Sequence, residues 1–283
     1  MSEKVKVKIT RNVSVLPAIA LRGLVVFPNN IVHFEVGRAK SIAAIEAAMH
    51  ANSSVFLVAQ KEMDVEEPTM PDLYGYGVIA EIKQVLRVSD DLVKVLVEGK
   101  TRARLLELND GDFLQASVRP VPVRGIGADK RTQTEALVRS LKDCFEEYLS
   151  YSPQISKDII YNIVSSDSPL FLSEYMPANL LLKYEDKQTI LNESSLLSRL
   201  EKLLMLLRQE CQVLEIERDL DDKVNASLDK GQREYYLREQ MHIISEELGD
   251  SEDTHAEADT YRQKIAALKL DDESTEKLLK ECD

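Results

Sequence analysis

The chain has 283 residues, of which 49 are acidic and 36 are basic, so its formal net charge is −13. This length suits two domains, and the acidity argues against a general nucleic-acid-binding protein, which needs clustered lysine and arginine. No run approaches the roughly 18 apolar residues of a membrane-spanning helix. Residues 1–10 lack the apolar core of a signal peptide. We therefore expect a cytoplasmic protein without a membrane partner.

Charge and hydrophobic period both divide the chain near residue 123. Residues 1–123 carry equal numbers of acidic and basic side chains, so the whole acidic excess lies in residues 124–283. Apolar residues alternate before the boundary, as in Val93, Val95 and Val97, and recur every three or four residues after it. Alternation is typical of strands and the longer period is typical of helices. We therefore predict an α+β fold, with a β-rich domain followed by a helical one.

The β-rich domain, residues 1–123, is predicted to contain six strands, a further short one, and one helix. We expect antiparallel pairing in an open barrel that the helix closes. The predicted strands span residues 4–10, 13–21, 30–36, 54–60, 76–88, 92–108 and 113–119, and the helix spans residues 39–51.

Residues 60–77 differ from the strands around them because they mix apolar side chains with acidic residues and prolines. One interpretation is that the apolar side chains fold back onto the barrel, as loop residues commonly do. The other is an exposed, adaptable surface of methionine and aromatic side chains that accepts many partners. The candidate substrate-binding residues are Met63, Met70, Leu73, Tyr74 and Tyr76.

Residues 124–130 lose periodicity and contain two glycines, which predicts a linker before a helical bundle at residues 131–194. Pro153, Pro169 and Pro177 fall at or near the predicted helix starts, where a missing amide hydrogen costs little. The four predicted helices span residues 131–150, 154–165, 168–176 and 178–191.

Residues 195–248 contain no proline and a single glycine, Gly231, and they predict one helix of about 80 Å. A dense leucine stripe in its first part should pack on the bundle, whereas apolar residues thin out beyond Glu215. The later apolar residues have coiled-coil spacing, which fits either packing within the chain or a seam between copies. Gly231 is the expected site of a kink or break. The candidate assembly residues are Tyr235, Leu237, Met241, Ile244 and Leu248.

Residues 249–283 have the pattern of a linker followed by two short helices. Residues 249–259 are acidic and lack large apolar side chains, which predicts a mobile linker. Two short helical patterns follow, at residues 260–269 and 273–282, and the last ends without a cap. We therefore expect a truncated chain in which residues 260–283 begin the helical entry to a further module.

Motifs that carry enzymatic chemistry are missing from the sequence. No phosphate loop (GxxxxGK[ST]), nucleophile elbow (GxSxG) or zinc protease motif (HExxH) occurs. The four histidines are scattered, and the three cysteines form no CxxC pair, so we expect reduced, partly buried thiols. We expect no catalytic residue, bound cofactor or metal in this chain, and no enzymatic activity from it alone.

Several segments together resemble bacterial Lon proteases. They read LPAIALRGLVVFP at residues 16–28, VGRAKS at 36–41, LVAQK at 57–61, VKVLVEG at 93–99 and QREYYLREQM at 232–241. Many members of that family lack the counterpart of residues 18–20, which leaves the register of the second strand open. The resemblance implies a PUA-like β domain and a helical bundle that precede an AAA+ ATPase and a Ser-Lys protease domain. It implies that ATP and Mg²⁺ bind in that missing part, because no family catalytic residue maps onto this chain.

The resemblance further implies a module that recognises misfolded, damaged and degron-bearing regulatory proteins in a stress response and supports a protease hexamer. Six copies of a weak apolar contact would give useful avidity. An alternative is a nucleic-acid-binding barrel, because Lys94, Lys100, Arg102 and Arg104 cluster on and after one hairpin. A third possibility is a purely structural scaffold without substrate contact.

Overall fold

The fold is described for residues 13–89, 91–152, 154–247, 260–265 and 267–268 of a computed structural model. The chain divides into two compact units, one ending at Glu215 and the other beginning at Ile216. The predicted strand at 4–10, the acidic linker at 249–259 and the helix at 273–282 lie outside the described residues.

The first unit begins with six strands and one helix, close to the bounds that alternation predicts. The elements are β1 (Ser14–Leu21), β2 (Ile31–Val36), α1 (Ala39–His50), β3 (Ser54–Ala59), β4 (Tyr76–Ser89), β5 (Leu92–Asp110) and β6 (Leu114–Pro120), with a 3₁₀ turn at Met70–Asp72. The α+β class is confirmed.

Five of the six strands (β1, β3, β4, β5 and β6) form a closed ring, whereas we expected an open barrel, and β2 pairs with β5 alone. The sheet order is β2-β5-β4-β3-β1-β6, and β5 also pairs with β6. This closure depends on the length of β5, whose first half pairs with β2 and whose second half pairs with β6. The long strand β5 therefore pairs with two shorter strands, β2 and β6, along one of its edges.

The pairing of β1 with β3 is parallel, which also differs from the antiparallel pairing we expected. The chain leaves β1, forms β2 and α1, and only then enters β3. A connection of this length can return the chain to the end of the sheet where β1 began, as parallel pairing requires. The other strand pairs of the sheet are antiparallel.

Helices follow the barrel and share its core. They are α2 (Arg131–Tyr151), α3 (Lys157–Ser165), α4 (Pro169–Asn179), α5 (Tyr184–Asn192) and α6 (Leu196–Glu247). One cluster of buried apolar residues runs from the barrel, with Phe27 and Val97, into the bundle, with Leu141 and Leu200. The predicted linker is also tied down, because the amide of Arg124 donates to the Ser194 carbonyl at 2.8 Å.

Pro177 does not mark a helix start, so that prediction is wrong. It lies inside α4, which continues to Asn179, and α5 begins only at Tyr184. A proline near the end of a helix removes one internal hydrogen bond, a loss that its burial can offset. Pro177 is buried, and the Leu180 amide closes the final turn by donating to the Met176 carbonyl.

The long helix α6 is continuous as predicted and is not broken at Gly231. Residues 260–265 are helical, in agreement with the first of the two short helical patterns at the end of the chain. Among the described residues, no helix combines the length and the apolar character that crossing a membrane requires.

Candidate functional site

The loop between β3 and β4 has an ordered backbone although it contains little regular structure. We call residues 61–72 the methionine loop. The side-chain amide of buried Gln60 donates to the Val65 carbonyl at 2.9 Å. Arg22 donates to the same carbonyl at 3.2 Å, and Arg38 donates to the Glu66 carbonyl at 3.1 Å. Side chains of residues that directly follow β1 and β3, and of the residue that directly precedes α1, thus replace the hydrogen bonds that a helix or strand would supply.

The second half of the methionine loop is held by its own residues. Thr69 and Asp72 form a capping box, in which the Thr69 amide and hydroxyl donate to the Asp72 carboxylate at 2.8 and 2.6 Å. The hydroxyl hydrogen bond is the main reason that the pKa of Asp72 lies below its usual range. Lys61 closes the base of the loop, because its ammonium donates to the Pro71 carbonyl at 2.7 Å.

The five candidate binding residues divide into two groups. Met63 and Met70 are exposed, at 49% and 43% of their surface. Leu73 is 3% exposed and belongs to a second barrel core, against which Tyr74 also packs. Tyr76 is half-buried beneath the Arg102 guanidinium, which lies 5.2 Å from its ring centroid. Leu73 is therefore a core residue and not a surface one, and the two tyrosines are only partly accessible.

Met63 lies against the turn that follows β1. Gly23 has a φ of +63°, a conformation that favours glycine. A Cβ at this position would lie 3.1 Å from the Met63 Sδ, closer than ordinary van der Waals contact. The glycine thus leaves space for the thioether, and about half of the Met63 surface stays exposed.

A groove of about 510 Å³ runs beside Met70. Its apolar wall includes Pro68, Leu108 and Leu114, and its charged residues are Arg22, Arg38, Lys40, Glu66, Glu67 and Asp110. Lys40 contacts Asp110 at 2.9 Å and Glu67 at 3.5 Å. The hydrogen bond to Asp110 is the main cause that raises the pKa of Lys40. The groove therefore offers apolar contacts together with charges of both signs.

A buried charge cluster joins the barrel to the bundle. We define it as Arg102, Glu174 and Arg199. Arg102 on β5 donates to the carbonyls of Leu191 and Glu193 at 2.9 and 2.5 Å. Arg199 on α6 lies 3.5 Å from the Glu174 carboxylate on α4 and donates to the Glu193 carbonyl at 2.7 Å. The cluster thus connects β5, α4, α6 and the turn after α5.

Burial shifts the pKa values of Glu174 and Arg199 in the direction that disfavours their ionised forms. It raises the pKa of Glu174, even though Asn29 and Arg199 act in the opposite direction. It lowers the pKa of Arg199 to about 10, with a further contribution from the nearby Arg102 charge. Arg199 is therefore still protonated at neutral pH, and each charge of the cluster depends on the others.

The basic patch that favoured nucleic-acid binding is not present as a free surface. Arg102 is 2% exposed and is used inside the protein. Lys100 contacts Glu98 at 2.6 Å, and Lys94 contacts Glu35 at 3.0 Å. Of the four residues only Arg104 is both exposed and without a salt bridge among the described residues. The structure thus removes Arg102 from this patch and gives two of the other three residues an acidic partner, and nucleic-acid binding stays an untested prediction.

Comparison with known proteins identifies the family. Residues 15–209 match the family model of the ATP-dependent protease La (LON) substrate-binding domain. The chain belongs to the Lon substrate-binding domain family. The matched Lon residues include the barrel, the methionine loop, the groove and the buried charge cluster.

Relatives across almost the whole chain are Lon proteases. The Lon protease of Heliobacterium modesticaldum is 41% identical over 275 residues, which are 97% of this chain and 34% of that protein. The Lon protease of Escherichia coli K12 is 38% identical over 263 residues, which are 93% of this chain and 33% of that protein. This chain therefore spans about a third of the length of the curated Lon proteases it matches.

A solved Lon structure supports the fold. The N-terminal domain of the Mycobacterium avium complex Lon protease superimposes with a TM-score of 0.57 and covers 69% of this chain and 98% of that one. At 21% sequence identity this likeness shows the fold alone.

Four of the five candidate assembly residues of this Lon chain lie on α6 beyond the family match. Tyr235, Leu237, Met241 and Ile244 are all exposed, and Leu248 lies outside the described residues. Earlier on the same helix Ile216, Leu220, Val224 and Leu228 are exposed as well. Their role in assembly stays a prediction.

Sequence reasoning did not find the buried charge cluster. Arg199 lies within a run of leucines, where a single arginine reads as a surface residue at the edge of an apolar stripe. Its partner Glu174 is 25 residues away and on another helix. The sequence did contain one signal of the cluster. Arg199 is a charged residue at a position where the helical period predicts burial.

Proposed function

We propose that this chain is the substrate-recognition region of an ATP-dependent Lon-type protease and that the methionine loop binds exposed apolar segments of misfolded or damaged proteins. The observation that carries the proposal is the exposure of Met63 and Met70 on a backbone fixed by Gln60, Arg22 and Arg38. Methionine side chains are flexible and polarizable, so they adapt to many apolar partners. A fixed backbone keeps the entropy loss of binding small.

The groove beside Met70 extends this proposal to the charge of the substrates. Because it carries both acidic and basic side chains, neither sign of substrate charge is repelled throughout the groove. Degron-bearing regulatory proteins with different flanking charges would bind the same surface. This breadth is the property that a quality-control protease needs.

The rest of the parent protein would supply the chemistry. ATP and Mg²⁺ would bind in an AAA+ module, and peptide bonds would be cleaved in a serine protease domain, both outside this chain. A cytoplasmic hexamer would bring six methionine loops together, so that a weak contact at each gains avidity. The exposed apolar residues Tyr235, Leu237, Met241 and Ile244 of α6 would contact another copy in that hexamer.

Replacing Met63 and Met70 by alanine together is expected to weaken binding of a permanently unfolded, reduced and alkylated protein by about 30-fold. Each methionine has roughly half of its surface left to bury, and that half contributes about 1 kcal/mol on binding. The measurement is fluorescence anisotropy of the labelled unfolded protein against the full chain. The variant should keep the circular dichroism spectrum of the parent chain.

Met49→Ala is the matched control, because Met49 is 48% exposed on α1 but does not line the groove. It should leave the affinity unchanged. Equal affinities for the control and the double variant would show that the methionine loop does not bind substrate. No binding by the parent chain would instead support the purely structural scaffold.

A further inference from the structure

Two buried thiols meet where α2 packs against α6. Cys144 Sγ and Cys211 Sγ lie 3.9 Å apart, and both residues are free and belong to the continuous core. A tetrahedral zinc ion with Zn–S bonds of about 2.3 Å separates two thiolate sulfurs by about 3.8 Å. The two sulfurs thus already have the spacing of two ligands on one tetrahedral ion.

Glu147 adds a third ligand atom at the same place. It follows Cys144 by one helical turn on α2, so both side chains lie on one face of the helix. A carboxylate oxygen of Glu147 lies within 4.8 Å of both sulfurs. The residue is exposed, which gives an ion a path from solvent to the buried thiols.

The charges around the three residues favour a cation. Arg208 acts electrostatically on Cys144, and Glu210 acts on Cys211. Glu147 acts on both thiols, so two of these three neighbouring charges are negative. A divalent ion placed between the sulfurs and the carboxylate would therefore meet a favourable local field.

We propose that Cys144, Glu147 and Cys211 form a binding site for a soft divalent cation of the Zn²⁺ class, with water as the fourth ligand. On binding, each thiol releases its proton to the solvent, and the ion bonds to two thiolates and one carboxylate oxygen. The bound ion cross-links α2 to the first part of α6. Its role is structural, and it is separate from substrate binding at the methionine loop.

The test uses the full chain with Cys282→Ser, so that Cys144 and Cys211 are the remaining thiols. Titration of the reduced protein with Co²⁺ should give one ion per chain and the absorption bands of a tetrahedral thiolate complex. Zn²⁺ should displace the Co²⁺ and abolish these bands. Zn²⁺ should also raise the midpoint of thermal unfolding, because the ion binds the folded state.

Three substitutions distinguish the proposed site from adventitious binding. Cys144→Ala and Cys211→Ala should each abolish the thiolate bands. Glu147→Gln, at an exposed position that should not perturb folding, should weaken Co²⁺ binding roughly tenfold or more, since even groups outside a ligand set change metal affinity by that much. Asp143→Asn, a neighbouring acidic residue of α2, should leave Co²⁺ binding unchanged.

Two outcomes would overturn the proposal. One is Co²⁺ binding to Glu147→Gln with the affinity of the parent chain. The other is the absence of thiolate absorption bands when the reduced chain is titrated with Co²⁺. That outcome counts against the site even if mass spectrometry finds a Cys144–Cys211 disulfide before reduction.

Discussion

Replacing Arg199 by methionine is expected to lower the free energy of unfolding by about 3–5 kcal/mol, the usual effect of leaving a buried charge without its partner. Arg199 and the Glu174 side chain are 0% and 6% exposed, so water cannot take over the role of the guanidinium. Asn29 would remain a hydrogen-bond donor to Glu174 at 3.1 Å, and Arg102 would still act on it electrostatically, but neither replaces the direct contact with the Arg199 guanidinium. Urea unfolding followed by circular dichroism measures the loss, since the chain has no tryptophan.

The double variant Arg199→Met with Glu174→Leu should recover most of this loss. Replacing both members of a buried ion pair by apolar side chains is often neutral, because the desolvation of both charges is removed as well. Arg208→Met is the control for an exposed arginine on the same helix, and it should change stability by less than about 0.5 kcal/mol. A double variant as unstable as the single one would contradict this account of the cluster.

The single variant Arg199→Met should also respond to pH in a defined direction. The folded-state pKa of Glu174 is already above its unfolded value, and loss of the Arg199 charge raises it further. The folded state then binds the proton more tightly than the unfolded state, so stability falls as pH rises through this window. Relative to the parent chain, the variant should regain stability as pH falls from neutral towards the raised pKa. A difference in stability that is independent of pH would show that Glu174 is not the titrating group.

Gly77→Ala is expected to lower the free energy of unfolding by about 3 kcal/mol, at the upper end for inserting a methyl group into a packed core. A Cβ at Gly77 would lie 2.2 Å from the Leu57 carbonyl oxygen and 2.7 Å from the ring of Phe56. Leu57 is paired with Val78 in the β3–β4 ladder, so the methyl group would push two hydrogen-bonded strands apart. The same urea unfolding experiment measures the effect.

Gly75→Ala is the matched control two residues earlier, where an added Cβ meets nothing within 4 Å. It should leave stability unchanged or raise it slightly, by about 0.4–1 kcal/mol, because alanine restricts the unfolded chain. Similar losses in both variants would mean that the close approach at Gly77 does not limit the barrel. If Gly77→Ala does not fold and Gly75→Ala does, the result supports the prediction, because the loss of stability is then confined to Gly77 and larger than expected.

Strands such as β2 and the first part of β5 were predictable from sequence because they alternate between a core-facing and an outward-facing side chain. Val93, Val95 and Val97 are all buried, as the period of two requires. The closure of the ring was not predictable, because it depends on β5 having two partners on one edge. Alternation reports which face of a strand is buried, and it contains no information about which strand lies next to it.

The candidate site was predictable only in part. The mixture of apolar and acidic residues in the methionine loop identified an unusual segment, but it gave no means of separating exposed Met63 from buried Leu73. That division arises from contacts with distant residues, such as the pairing of Leu73 with Gln60 and the hydrogen bonds from Arg22 and Arg38. Long-range hydrogen bonds of this kind leave no local pattern in the sequence.

The hydrogen-bond acceptors of Arg102 have a consequence for the order in which parts of the protein can fold during translation. The guanidinium of Arg102 bonds to carbonyls that lie 89 and 91 residues later in the chain. During translation the barrel sequence leaves the ribosome well before these carbonyls exist. A nascent chain that ends within α2 therefore holds Arg102 without its native acceptors and lacks the bundle half of the common core. Final packing of the barrel must wait until α6 has begun to emerge, so completion of this domain is timed by the synthesis of its helical half.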